Sequence, residues 1–263
     1  MSFIVNPYVY GSPLCADADG NAFLIATGIT NPTIASAICT LVTSMKADGT
    51  WAKCQAIYPF VGGTATTHKF NLKNPADTNA AFRLSFIGGI THSSNGITGN
   101  AVNGYCDTFI ANTAVAVNSN HIATYSRSSF NENSVDIGTY GQNPPDTWGI
   151  HHSARGFGIG MFFRNQNGSF ANASNADGRG LYISTRTASN FAAMYKNGTQ
   201  TCSLAASPVA MLNENFQILA INNAFHSSRN LAFASIGDGL TNTDASNLYS
   251  TIQTFQTTLG RQV

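Results

Sequence analysis

Hydrophobic positions recur with helical period near the start of the chain and with period two over most of the rest. Ile34, Ile38, Leu41, Val42 and Met45 form a helical stripe, opened by Asn31 as N-cap with Pro32 at the first helical position and closed at Gly49. A shorter helix over Asp17 to Thr27 precedes it, with Gly28 as its C-terminal stop. The stretch 51–60, WAKCQAIYPF, joins this helical pair to a long strand-rich region.

From about residue 55 the pattern becomes one of strands. Residues 81–86 (AFRLSF) alternate apolar and polar, as a half-buried strand does. Similar runs lie at 105–111, 121–127, 156–163, 180–186, 216–222 and 231–236, with turn residues between them. Residues 191–195 and 200–204 flank Lys196-Asn197-Gly198-Thr199, and Asn-Gly favours the type I′ turn of a hairpin. Residues 165–180 (NQNGSFANASNADGRG) read as a polar surface loop. A last helix starts at Thr241, with Asp244 completing a capping-box variant. Its stripe is Ala245, Leu248, Tyr249, Ile252, Phe255 and Leu259, and Gly260 ends it. It can pack on its own sandwich or between subunits. Many short strands without helix–strand alternation predict a mainly β, antiparallel β-sandwich. The expected organisation is a leading peptide 1–13, a helical pair 14–54 packed on the sandwich, and a sandwich domain 55–263 carrying the terminal helix.

Composition narrows the function. Only 10% of the 263 residues are charged and the net charge is +1, so no basic surface for nucleic acid is implied. No stretch approaches the roughly 18 apolar residues of a membrane span. The first residues lack a basic segment and a long apolar run, which points to a protein made and kept in a cytosol, or released by lysis rather than secretion. Cys15, Cys39, Cys54, Cys106 and Cys202 are odd in number and form no CxxC pair, so reduced thiols are expected and no metal or redox motif.

The residues offer little catalytic chemistry. Glu132 and Asp136, at i and i+4, would share a face of a strand, as a glycosidase pair must, but the segment reads better as a polar loop leading into a strand. Residues 156–160 (GFGIG) lack the βαβ context of a dinucleotide site. No nucleophile elbow, P-loop, cofactor motif or catalytic residue is expected. Trp148, His151 and His152 are the ligand candidates, because an aromatic beside histidines can stack on and hydrogen-bond a sugar ring. His68, His92, His121 and His226 are scattered and read as structural or incidental.

Two segments carry a resemblance. Residues 56–75 (AIYPFVGGTATTHKFNLKNP), and 233–244 (FASIGDGLTNTD) with their continuation through 254–261, resemble stretches of bacteriophage structural proteins. The helical pair at the N-terminal end is matched as well. Such proteins are similar to laminin-G-like and concanavalin-like sandwiches, so a jelly-roll or concanavalin-like domain is implied. The resemblance implies a virion component, an exposed head or tail appendage of the fibre or decoration type. Its expected partners are copies of itself, commonly as a homotrimer, other virion proteins, and a glycan of the host surface. No acidic cluster matches the calcium loops of laminin-G-like domains, so no metal site is carried over. The apolar leading residues Phe3, Ile4, Val5, Tyr8 and Tyr10 are the expected docking or oligomer contact, the equal alternative being an edge strand added to their own domain. A carbohydrate-binding, lectin-like module is the alternative reading.

Overall fold

The computed structural model describes residues 14–130, 132–140, 150–153, 161–165, 170–208 and 213–263, with 150–153 and 161–165 as backbone. Elements are numbered in chain order. The helices are α1 (Ala18–Thr27), α2 (Pro32–Ala47), the single turns α3 (Thr50–Lys53) and α4 (Ala65–His68), and α5 (Asn242–Thr258). The N-caps at Asn31 and Thr241 are those expected, and Asp17, read as the first residue of its helix, is instead the cap of α1. Asp17 accepts from the Asp19 and Gly20 N–H groups, Asn31 from Thr33 and Ile34, and Thr241 and Asp244 cap α5 reciprocally.

The larger sheet contains β1 (Cys54–Tyr58), β3 (Thr91–Ser93), β4 (Gly96–Thr98), β6 (Asn120–Ser126), β11 (Gly180–Ala188), β12 (Phe191–Lys196), β13 (Thr199–Leu204) and β15 (Asn230–Gly237). Its order is β13-β12-β11-β6-β15-β4-β3, and β1 pairs with β15 beyond the end of β4. The second sheet contains β2 (Ser85–Ile87), β5 (Tyr105–Ala111), β7 (Ile137–Gly138), β8 (Ile150–Ser153), β9 (Met161–Asn165), β10 (Ala171–Ala173) and β14 (Asn215–Ile218), in the order β10-β9-β8-β7-β14-β5-β2. All pairings are antiparallel among the described residues. The architecture is an antiparallel β-sandwich.

The two sheets enclose one core, built from Tyr58, Ile97, Cys106, Ile110, Ile122, Ile137, Phe216, Ile218, Leu231 and Ile236. A second core lies on the other face of the larger sheet. There Ile38, Leu41, Met45, Leu248, Ile252 and Phe255 of α2 and α5 cover Ile57, Tyr125, Ile183, Tyr195 and Phe233. The larger sheet is therefore the middle of three layers, and its central strands β6 and β15 are buried almost end to end. The second sheet has one covered face, so β5 and β14 alternate between buried and half-exposed residues. Among the described residues no helix or sheet packs on its outer face.

Three local expectations are corrected. Residues 81–86 are not one strand: Thr78 caps a 3₁₀ turn over Asn79–Ala81, Phe82 is left-handed with φ of 59°, and pairing starts only at Ser85. The polar stretch 165–180 contains β10, which pairs with β9 through Ala171, Asn172 and Ala173. The thiols are not all reduced. Cys15 and Cys39 form a disulfide with a Cα–Cα distance of 5.4 Å, tying the residues ahead of α1 to α2, while Cys54, Cys106 and Cys202 are free.

Candidate functional site

On β5, Cys106, Thr108 and Ile110 face the core, which leaves Tyr105, Asp107 and Phe109 to the other side. On β14, Phe216 and Ile218 are buried, and Asn215 and Gln217 alternate with them. Between these outward residues lies a cleft of about 190 Å³, lined by Asp107, Tyr140, Asn213, Glu214, Asn215, Gln217 and Asn222. Every lining side chain is of a type that can hydrogen-bond. A groove beside α2 at Leu14, Cys15 and Pro32, and another at Val61, Ser94 and Arg261, mix small apolar and polar residues and lack this concentration of polar side chains.

The floor of the cleft is held rigidly. Asp107 pairs with Gln217 and Ala111 with Asn215, so β5 bulges by two residues between them. Asp107 Oδ1 accepts from the Phe109 N–H (2.8 Å) and from Asn215 Nδ2 (3.0 Å), and Thr108 Oγ1 donates to the Phe216 carbonyl (2.8 Å). On the far wall, Gln217 Nε2 donates to Asn223 Oδ1 (3.2 Å) and Gln217 Oε1 accepts from the Asn223 N–H (3.0 Å). Among the described residues, nine non-glycine residues have left-handed φ. Five of them, Phe109, Leu219, Asn222, Asn223 and Phe225, lie on the bulge, at the end of β14 or in the turn after it. Such conformations cost of order 1–3 kcal/mol each for bulky residues and gather where a site must be shaped.

The expected ligand residues are placed only in part. Trp148 lies outside the described residues, as do Phe3, Ile4, Val5, Tyr8 and Tyr10. The backbone of His151 pairs with Gly138, which pairs with Gln217, which pairs with Asp107. His151 thus stands in the register row that runs through the cleft, whereas His152 stands in the row of Ile137 and Ile218.

Glu132 and Asp136 do not face one another across a cleft. Glu132 accepts from the hydroxyls of Ser134, Ser227 and Ser228 and from the Ser228 N–H, and the fully buried Asp136 accepts from Arg229 Nη1 (2.9 Å). Burial opposes charge on Glu132, but the bonds from Ser227 and Ser228 and the Arg229 charge outweigh it and hold its pKa down. These acids clamp the approach to β7 onto the approach to β15.

His68 and His92 are not scattered: their Nδ1 atoms lie 3.0 Å apart. The Gly63 N–H donates to His68 Nε2 (3.2 Å), so His68 carries its proton on Nδ1 and donates it to His92. Burial, then the neighbouring His92 and Arg261, push the His68 pKa down to about 3.

The residues missed by sequence reasoning are those lining the cleft. In sequence, Asp107 and Gln217 are ordinary polar positions of alternating strands, and only the β5–β14 pairing brings them together.

No family model and no curated protein matches the sequence. By structure, the chain is similar to domain 4 of AbnA, a GH43 extracellular arabinanase from Geobacillus stearothermophilus, in complex with arabinotriose. That likeness has 13% identity and a TM-score of 0.53, over 74% of this chain and 98% of that domain. The Trypanosoma rangeli sialidase in complex with the inhibitor DANA is similar at 12% identity and a TM-score of 0.50, over 81% of this chain and 38% of the sialidase. The binding domain of botulinum neurotoxin serotype D matches at 7% identity and a TM-score of 0.46, over 76% of this chain and 52% of that one. The chain spans well under two thirds of the latter two. At these identities the likeness is one of fold. The bacteriophage resemblance has no counterpart among the three.

Proposed function

We propose that this chain is a lectin-like, glycan-binding β-sandwich module and that the cleft between β5 and β14 is its sugar site. The observation that carries the reading is the cleft itself: seven polar side chains, three from β5 and β14 and four from the segments flanking β7 and β14, gathered beside a sheet whose other face is core. Vicinal hydroxyls of a sugar ring both donate and accept, and the Asn and Gln amides, the carboxylates and the Tyr140 phenol match that pattern. Its size suits one ring of an oligosaccharide, with the rest lying over the sheet. The arabinanase domain, which shares the sandwich and is in complex with arabinotriose, supports the reading. His151 in the same register row and Trp148, two residues ahead of β8, are the groups proposed to extend the contact.

The proposal is binding without turnover. Asp107 is fixed by Phe109 and Asn215, and Glu214 is exposed, without the apolar surround of a glycosidase acid. Calorimetric titration with neutral oligosaccharides is the test. Saturable binding, weakened at least tenfold in Gln217→Ala and with no hydrolysis product, is expected. Binding that survives Gln217→Ala and Asn215→Ala would place the sugar elsewhere.

The reading as an exposed bacteriophage appendage rests on the segments 56–75 and 233–261 and is compatible with a sugar site, since such a part meets a host surface. Solution mass tests it. A trimer that falls to monomer on removal of residues 1–13 is the expected result, and a monomer in both forms counts against self-assembly through that peptide.

A further inference from the structure

We infer, building on the sugar-site reading, that the cleft selects uncharged saccharides and turns away sialylated and uronic ones. Among the described residues its lining holds two carboxylates, Asp107 and Glu214, with four amides and one phenol, and no Lys, Arg or His. Among the described residues neither carboxylate forms a salt bridge. The hydrogen bonds to Asp107 come from neutral donors, Asn215 Nδ2 and the Phe109 N–H.

Among the described residues, the strands that flank the cleft, β2, β5, β7 and β14, add no Lys or Arg, and His226 is the basic side chain beside its far wall, on the Asn223 carbonyl at 3.1 Å. Arg83, just ahead of β2, is paired with Asp77 at 3.1 Å. The stretches that adjoin the lining in sequence, 141–149 and 209–212, contain Asp146 and no basic residue. Within this sheet the basic strand residues are His151 and His152 on β8 and Arg164 on β9; the Arg164 backbone pairs with His151 and stands three strands from β14, roughly 14 Å at ordinary strand spacing.

A sugar carboxylate is recognised by a guanidinium fork or by converging N–H groups, which cancel its charge as water is lost. Here it would meet two like charges instead. A hydroxyl meets the opposite: each carboxylate oxygen accepts its proton, and the amides supply both donors and acceptors. The same acids that would hold a neutral ring therefore repel an anionic one.

Matched pairs test this: lactose against 3′-sialyllactose, and arabinotriose against trigalacturonic acid, titrated into the full chain near pH 7. A neutral member that binds while its anionic partner is at least tenfold weaker is the expected result. In about 0.5 M salt the gap should narrow, because screening acts on the charged ligand alone. It should narrow also in Glu214→Gln, and the salt series on the unaltered protein stands if that variant fails to fold. Equal or tighter binding of the anionic member overturns the charge selection and leaves the sugar site standing. Failure of every sugar to bind overturns both.

Discussion

His121 is buried in the larger sheet with both ring nitrogens engaged, Nδ1 by the Asp238 carbonyl and Nε2 by the Ser235 hydroxyl at 3.1 Å. Burial outweighs the hydrogen bond to Asp238 and pushes its pKa down to about 4. An imidazole depressed in this way binds fewer protons folded than unfolded, so its contribution is whole above about pH 6.5 and is lost as pH falls toward about 4. His68 adds to the loss in the same direction, down to about 3. Urea midpoints are expected to fall between pH 7.5 and 5, and His121→Gln should flatten that slope. Arg261 is the other residue of this kind. Its guanidinium donates to the carbonyls of Pro59 (2.8 Å), Phe60 (2.7 Å) and Ala232 (3.0 Å) and to Gln256 Oε1 (2.6 Å). Burial, then the Arg127 charge, lower its pKa to about 9, still a cation at neutral pH. Arg261→Leu would strand those acceptors and should cost about 3 kcal/mol or more in chemical denaturation. Nothing in the sequence marked Arg261, which follows a helix-ending glycine like any surface charge.

Elements were more legible than residues, because their signals are local. The helix caps at Asn31 and Thr241, strand β5 and the hairpin of β12 and β13 all stand where periodicity and turn chemistry placed them. Asn197 and Gly198 take φ of 50° and 76°, as a type I′ turn requires. A Cβ on Gly198 would sit 3.1 Å from Ser246 Cα on α5 and 3.2 Å from Tyr249 Cβ. Gly198→Ala is therefore expected to cost about 1–2 kcal/mol, read from the thermal midpoint. The misread elements depend on distant partners. Residues 81–86 break at Phe82, and the Leu84 N–H is taken by the Lys69 carbonyl rather than by a strand. The bulge in β5 exists only against β14. The disulfide was equally hidden, since Cys15 and Cys39 are 24 residues apart with no motif between them. Closing a loop of that length contributes about 3 kcal/mol, so Cys39→Ser should lose that much stability. Thiol titration of the unfolded, unreduced chain should find Cys54, Cys106 and Cys202 only.

At the scale of the molecule, the mainly β antiparallel class followed from the number of short runs and turns, but the layering did not. Strand β15 reads as nearly continuous apolar or small residues, while β6 mixes Ile122, Ala123 and Tyr125 with buried polar Asn120, His121 and Thr124. Both faces of each strand are covered, and a sequence cannot say whether helices or a second sheet does the covering. That layering leaves one sheet face for a site. Strand β15 has a further consequence, for the order of events in time. It is the only partner of β1 among the described strands, and it joins the β3–β4 pair to β6. Its residues, 230–237, leave the ribosome after every other strand, and α5 and Arg261 follow. At ordinary synthesis rates β1 waits roughly 10–40 s before this strand exists. Through that interval β1 has no neighbour and the inner face of the helical layer has no finished sheet to rest on. The molecule is built like an arch, whose stones stand unsupported until the keystone arrives.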